Sequence, residues 1–131
     1  MILGMGLDVC AIARMEQVLA RWGDRFAARI LSEEELAAIA RRVDRATVVA
    51  GRFAAKEAAA KAMAGAPGVG WHDLLVRGGG KRPPELVLRG PARTLAEKVG
   101  VSRVHLSISH DAGVAAAVVI LEGEPTGASF R

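Results

Sequence analysis

Residues Asp44 to Ala64, DRATVVAGRFAAKEAAAKAMA, contain no proline and one internal glycine, Gly51, and are dominated by alanine. Alanine favours helix because its side chain loses no rotamer freedom and buries no polar atom. The stretch therefore predicts the longest helix of the chain, stopped by Gly65, Pro67 and Gly68. Within it, from Arg52 to Ala62, the charged residues Arg52, Lys56, Glu57 and Lys61 sit among small neighbours.

Toward the N-terminus, Met1 to Ile12 reads as a buried strand, and Gly4 and Gly6 within it imply close approach by another backbone or a ligand. Asp8 interrupts this apolar run and needs a partner, because burying an unpaired carboxylate is costly. Ala13 to Trp22 and Asp24 to Ile30 have helical composition, with Arg14, Arg21, Arg25 and Arg29 punctuating apolar positions. Ser32-Glu33-Glu34-Glu35 fits a capping box and predicts a helix with Leu36, Ile39 and Ala40 on its apolar stripe.

Toward the C-terminus, Leu74 to Arg77 and Glu85 to Arg89 read as short strands around a glycine- and proline-rich connection, and Pro91 opens a helix to Val99. Val104, Leu106 and Ile108 alternate with His105, Ser107 and Ser109, the pattern of a strand with one apolar and one polar face. After a turn at residues 110–113, Val114 to Leu121 is expected to be a strand buried on both sides. Residues 123–131 are expected to fray, leaving an α+β domain over residues 1–122.

Composition narrows the function classes. With 131 residues, 51% hydrophobic and 24% charged, the chain has the make-up of one globular domain rather than a disordered one. The longest strongly apolar run, Ala112 to Leu121, is about half the ~20 residues of a membrane-spanning helix. Met1 to Asp8 lacks the basic start of a signal peptide, so a cytoplasmic protein that spans no membrane is expected. The single cysteine, Cys10, reads as a core residue. A net charge of +4 points to an anionic partner. Aromatics at 4% and the absence of tyrosine argue against nucleic acid.

Glu57 and Lys61 lie four apart, and the ordinary reading is an exposed helical ion pair worth ~0.3–0.5 kcal/mol. A functional reading starts from Mg2+, a hard cation that takes one or two carboxylates and completes its shell with water and phosphate. Asp8 and Glu57 are the candidate ligands, with Arg52, Lys56 and Lys61 to neutralise phosphate. His110, at the end of the alternating strand, suits either turn hydrogen bonding or ligand contact; His105 is the weaker candidate.

Three segments taken together resemble the holo-acyl-carrier-protein synthases, the small class of phosphopantetheinyl transferases. They are Gly6-Leu7-Asp8 with Arg14; Gly51-Arg52-Phe53-Ala54-Ala55-Lys56-Glu57-Ala58; and His105-Leu106-Ser107-Ile108-Ser109-His110. Phe26 to Glu35 is also similar to the family's helix and capped turn. The resemblance implies an antiparallel sheet packed against the long helix, in a homotrimer with coenzyme A bound between subunits. It assigns Asp8 and Glu57 to Mg2+, with Lys61 as a catalytic partner. It places Arg52, Lys56, Lys61, Ser109 and His110 on coenzyme A, together with Lys81 and Pro83 or Pro84 in a Gly80–Pro84 turn that departs from the family's compact pattern. Arg14, Arg21 and Arg25 would face an acidic acyl carrier protein.

The implied reaction is attack of a carrier serine hydroxyl on the β-phosphate of coenzyme A, with 3',5'-ADP leaving, in the service of fatty acid biosynthesis. Glu57 or a water on the metal would be the base, and Lys61 would stabilise or protonate the leaving phosphate. A basic module that binds nucleic acid or another anionic partner without catalysis is the competing reading.

Overall fold

In the computed structural model, which describes residues 1–131, the chain runs β1 (Ile2–Ala11), α1 (Ile12–Trp22), α2 (Asp24–Ile30), α3 (Glu33–Ile39), α4 (Arg45–Ala62), β2 (Leu74–Gly79), β3 (Arg82–Leu88), α5 (Gly90–Val99), β4 (Val101–Asp111) and β5 (Val114–Gly123). The long alanine-rich helix is α4, ending two residues earlier than its composition predicts. Strands β1, β5 and β4 form an antiparallel sheet in that order, while β2 and β3 form a separate antiparallel hairpin. The architecture is α+β, and no helix is long and apolar enough to cross a membrane.

Small residues decide how the sheet and α4 meet. A Cβ added at Gly4 or Gly6 would strike the main-chain carbonyl of Ala62 or Ala58, so the backbone approaching β1 is that of the helix. Facing it, Ala54, Ala55, Ala58, Ala59 and Ala62 are buried. The core fills the space between α4 and the inner sheet face, closed by Met15 of α1 and by Ile30 and Leu31 at the end of α2.

The second face of the sheet departs from expectation. On β1, Gly6 and Cys10 are buried, yet Met5, Leu7 and Val9 are 62%, 63% and 61% exposed. On β5, Ala115, Ala117, Val119 and Leu121 are buried, whereas the residues between them are half-buried. Strand β5 is therefore covered on one side only, because every helix packed on this sheet lies on the other face. Its unbroken apolar run reflects two different apolar faces.

Residues 123–131 do not fray. Glu124 N–H donates to Gly100 O, Thr126 Oγ1 donates to Lys98 O at 2.7 Å, and Phe130 is buried in the main core. A short polar tail read as loose is held by one aromatic anchor. Phe130→Ala is expected to lower the free energy of unfolding by about 3 kcal/mol, the lower end for truncating a buried aromatic. Urea unfolding checks this; an unchanged midpoint would mean the tail contributes nothing.

The two-residue turn between β4 and β5 is Ala112-Gly113, both at positive φ, 51° and 78°, as a type I′ hairpin requires. It holds the end of β4, and so His110, beside the start of β5.

Candidate active site

The packing of β1 on α4 sets Asp8 on the side of the helix that carries Lys61 and, one turn before it, Glu57. Gly4 lies against Ala62 and Gly6 against Ala58, so strand and helix run in opposite directions. Two further strand residues advance ~6.6 Å, or about four helical residues, which sets Asp8 beside the turn from Ala54 that carries Glu57. Lys61, one turn beyond Glu57, donates its ammonium to Asp8 Oδ1 at 2.9 Å and to Leu7 O at 3.1 Å. The partner that Asp8 needs is therefore Lys61, and the expected Glu57–Lys61 pair is replaced by this cross-element bond. Glu57 makes no ion pair and is half-buried. Carboxylates are hard oxygen ligands of the kind Mg2+ takes, leaving its remaining positions to water and phosphate oxygens, and no group of three histidine, cysteine or acidic side chains forms a fuller metal cage.

A cavity of about 650 Å³ opens along the N-terminal half of α4, walled by the β2–β3 turn and the end of β4. Arg52, Lys81, Pro83, Pro84 and His110 all line it, so the ambiguous turn contributes each of its candidates. Gly78, Gly79 and Gly80 hold φ of 77°, 96° and 62°, a run that only glycine takes cheaply. At Gly78 a Cβ would come within 2.5 Å of Pro83 O. The lining is strongly cationic: Arg42 and Arg82 join Arg52 and Lys81, against a single carboxylate, Asp44. Asp44 binds Arg42 through both oxygens, at 2.7 and 2.8 Å, and this guanidinium holds its carboxyl below the usual carboxylate range.

Arg52 does more than face the cavity. It donates to Val76 O at 2.9 Å and to Gly78 O at 3.4 Å, tying β2 to α4, and its Nε is buried without a partner. From the other side, Val76 N–H donates to Glu35 Oε2 at 3.1 Å. Glu35 also closes the expected capping box, accepting from Ser32 N–H at 3.0 Å while Ser32 Oγ accepts from Glu35 N–H.

Lys56 belongs to this network and not to the cavity. Its side chain is fully buried, and its ammonium donates to Glu35 Oε1 at 2.7 Å and to Trp71 O at 3.0 Å. Burial pulls its pKa down, while the hydrogen bond to Glu35 holds it up. The expectation that Lys56 neutralises phosphate is thus corrected: one residue before Glu57, it points about 100° away around the helix, into the core.

Ser109 lies on the sheet face opposite the cavity, since β4 alternates and it is Ile108 and His110 that face α4. His105 shares the outer face and pairs with Glu122 at 2.9 Å. Arg14, Arg21 and Arg25 are exposed on α1 and α2, and the Arg21 guanidinium lies 5.1 Å over the half-exposed Trp22 ring. Sequence reasoning missed Arg42, Asp44 and Arg82 as cavity residues. Arg82 was within sight, flanked by Lys81 and Pro83, but no pattern marks Arg42 and Asp44.

The α+β fold and its cationic cavity belong to a known class: the chain is a member of the 4'-phosphopantetheinyl transferase superfamily, whose model matches residues 4–119. Its relatives narrow the class. It is 54% identical over 127 residues to the holo-[acyl-carrier-protein] synthase of Anaeromyxobacter dehalogenans strain 2CP-1, covering 94% of this chain and 98% of that protein. It is 46% identical over 123 residues to the synthase of Vibrio parahaemolyticus, covering 92% and 98%. Among solved structures, the Neisseria meningitidis synthase matches with a TM-score of 0.81 at 32% identity, over 93% of this chain and 99% of that one. The Bacillus anthracis synthase in complex with CoA (3',5'-ADP) matches with a TM-score of 0.76 at 36% identity, over 95% and 99%.

Proposed function

We propose that this chain transfers the 4'-phosphopantetheine moiety of coenzyme A to a serine of apo acyl carrier protein, giving holo carrier and 3',5'-ADP. The observation that carries the reading is one helix, α4, which borders a cationic nucleotide-sized cavity at Arg52 and places Glu57 and Lys61 beside Asp8 a few turns on. The serine oxygen bonds to the β-phosphorus, the bond from that phosphorus to the oxygen bridging the α-phosphate breaks, and the bridging oxygen leaves with 3',5'-ADP. Arg52, Lys81 and His110 hold the nucleotide. Lys61 moves its ammonium from Asp8 toward the leaving phosphate, offsetting the charge that develops there. Glu57, or a water held there, would take the serine proton.

The reaction is proposed to require Mg2+. Asp8 and Glu57 would hold the ion, which supplies positive charge to the pyrophosphate. The unit is a homotrimer, for which the exposed Met5, Leu7 and Val9 supply an apolar face that neighbouring copies would cover. Coenzyme A would sit between subunits, which would let Ser109, on the outer face, reach a donor held by the adjacent copy. The setting is fatty acid biosynthesis in the cytoplasm.

Intact mass spectrometry of an apo carrier incubated with this protein, coenzyme A and Mg2+ tests the activity. A gain of one phosphopantetheine arm, absent with EDTA, is expected; no gain with several apo carriers would overturn the reading. The carrier surface gives a further prediction, because Arg14, Arg21 and Arg25 are exposed and unpaired. Raising ionic strength shortens the screening length from ~10 Å at 0.1 M to ~3 Å at 1 M. KM for carrier is therefore expected to rise at least tenfold across that range, while KM for coenzyme A changes less. Equal salt dependence of the two constants would count against a carrier site on α1 and α2.

A further inference from the structure

Strand β2 pairs with β3 alone, so its other edge has no strand beside it. Both main-chain groups of Val76 are met there by side chains. Val76 N–H donates to Glu35 Oε2 at 3.1 Å, and Val76 O accepts from the Arg52 guanidinium at 2.9 Å. One residue of the hairpin is thus gripped from α3 through its N–H and from α4 through its carbonyl. Two residues on, the run Gly78 to Gly80 begins, all at positive φ, and both Val76 and this run line the cationic cavity. A two-stranded hairpin is marginal by itself in water, and consecutive glycines add freedom where a cavity wall has to be fixed. The grip on Val76 supplies what the hairpin lacks.

Glu35 can hold because it is itself held. Its carboxylate is 2% exposed, and Oε1 accepts from Lys56 Nζ at 2.7 Å and from Ser32 N–H at 3.0 Å, while Oε2 goes to Val76 N–H. It does not line the cavity. Resting on the transferase reading above, we propose that Glu35 is a positioning residue for the nucleotide end of the donor: through Val76 it fixes the Gly78–Gly80 wall at the distance from α4 that the nucleotide needs. Without Oε2, the N–H of the buried Val76 has no acceptor, a penalty the hairpin escapes by lifting toward water. Asp8 and Lys61 are brought together by the packing of β1 on α4 at Gly4 and Gly6, which the hairpin does not enter. Glu35 therefore acts on binding of the donor and not on the chemical step.

Two variants separate this role from a merely structural one, because both break the buried ion pair and only one breaks the grip. In Glu35→Gln the amide oxygen stays with its two donors, Lys56 and Ser32 N–H, and the amide nitrogen is left facing Val76 N–H. In Lys56→Met both carboxylate oxygens remain, and Val76 keeps its acceptor. Calorimetry with 3',5'-ADP, at a temperature where circular dichroism shows both variants folded, is expected to give Glu35→Gln an affinity lower by about tenfold or more and Lys56→Met an affinity close to that of the unaltered protein. In the transfer assay Glu35→Gln should raise KM for coenzyme A by a similar factor with kcat nearly unchanged. Equal affinity in Glu35→Gln and the unaltered protein would overturn the proposal, as would equal losses in the two variants or a Glu35→Gln defect confined to kcat. Hydrogen exchange on the unaltered protein adds a check that needs no variant: the Val76 amide should be protected far beyond those of Gly79 and Gly80, and exchange as fast as theirs would overturn the grip. Failure of the unaltered protein to bind 3',5'-ADP or to transfer from coenzyme A would instead overturn the transferase reading.

Discussion

Asp8→Ala and Glu57→Ala are each expected to lower kcat/KM for coenzyme A by about 10³-fold or more, while the melting temperature moves only a few degrees. Losing one preorganised charge-stabilising group typically costs ~10²–10³ in rate, and each of these carboxylates is proposed both to hold the metal and to set the charge around Lys61. The fold should tolerate both changes for a local reason. Asp8 bonds only to Lys61, whose side chain is 55% exposed, so the ammonium released by Asp8→Ala is taken up by water. Glu57 has no ion-pair partner to lose. Single-turnover mass spectrometry, alongside thermal melts of the same samples, separates the two effects. Turnover retained in both variants would sink the metal assignment; activity lost in parallel with folding would make the pair structural.

Lys56→Ala is expected to act through stability instead. It leaves the Glu35 carboxylate, 2% exposed, without its ammonium, and breaking a buried pair by removing one partner costs ~3–5 kcal/mol. At ~4 °C per kcal/mol for a domain of this size, the melting temperature should fall by roughly 12–20 °C. The loss should spread to the neighbours of Glu35, because its other oxygen holds Val76 N–H and its first oxygen also holds Ser32 N–H. Lys56→Met with Glu35→Gln is expected to recover part of it, since the buried charge is then gone and the amide oxygen can still accept. Urea unfolding of the single and double variants measures this coupling. If Lys56 served phosphate, the outcome would differ: a raised KM for coenzyme A with stability unchanged.

The assignment of Lys56 shows where legibility ended. A helix run such as Arg52 to Lys61 states which charges exist and their angular spacing, and that spacing does place Glu57 and Lys61 on one face. It does not state which face meets the core. Lys56 and Glu57 are adjacent, but packing of α3 and the Trp71–Asp73 turn against α4 sends the first inward and leaves the second at the surface. The outer face of β5 misled for the same reason. An apolar run is compatible with burial on both sides, and only the sheet order β1-β5-β4 shows that the helices cover one.

By itself the sequence determined the elements and the chemistry available to them. Alanine content set α4, the capping box set the start of α3, strict alternation set β4, and the three charged segments selected the family. These are local properties, fixed by propensity, period and residue type within a few neighbours. The tertiary structure decided which distant groups meet: Asp8 with Lys61 across 53 positions, Glu35 with Lys56 across 21, and the Arg42–Asp44 pair with a hairpin some 35 positions on, in one cavity. Those meetings follow from close backbone contact at Gly4 and Gly6 and from the need of each buried charge for a partner that offsets its lost hydration. Both depend on the three-dimensional neighbours of each residue, which spacing along the chain does not encode.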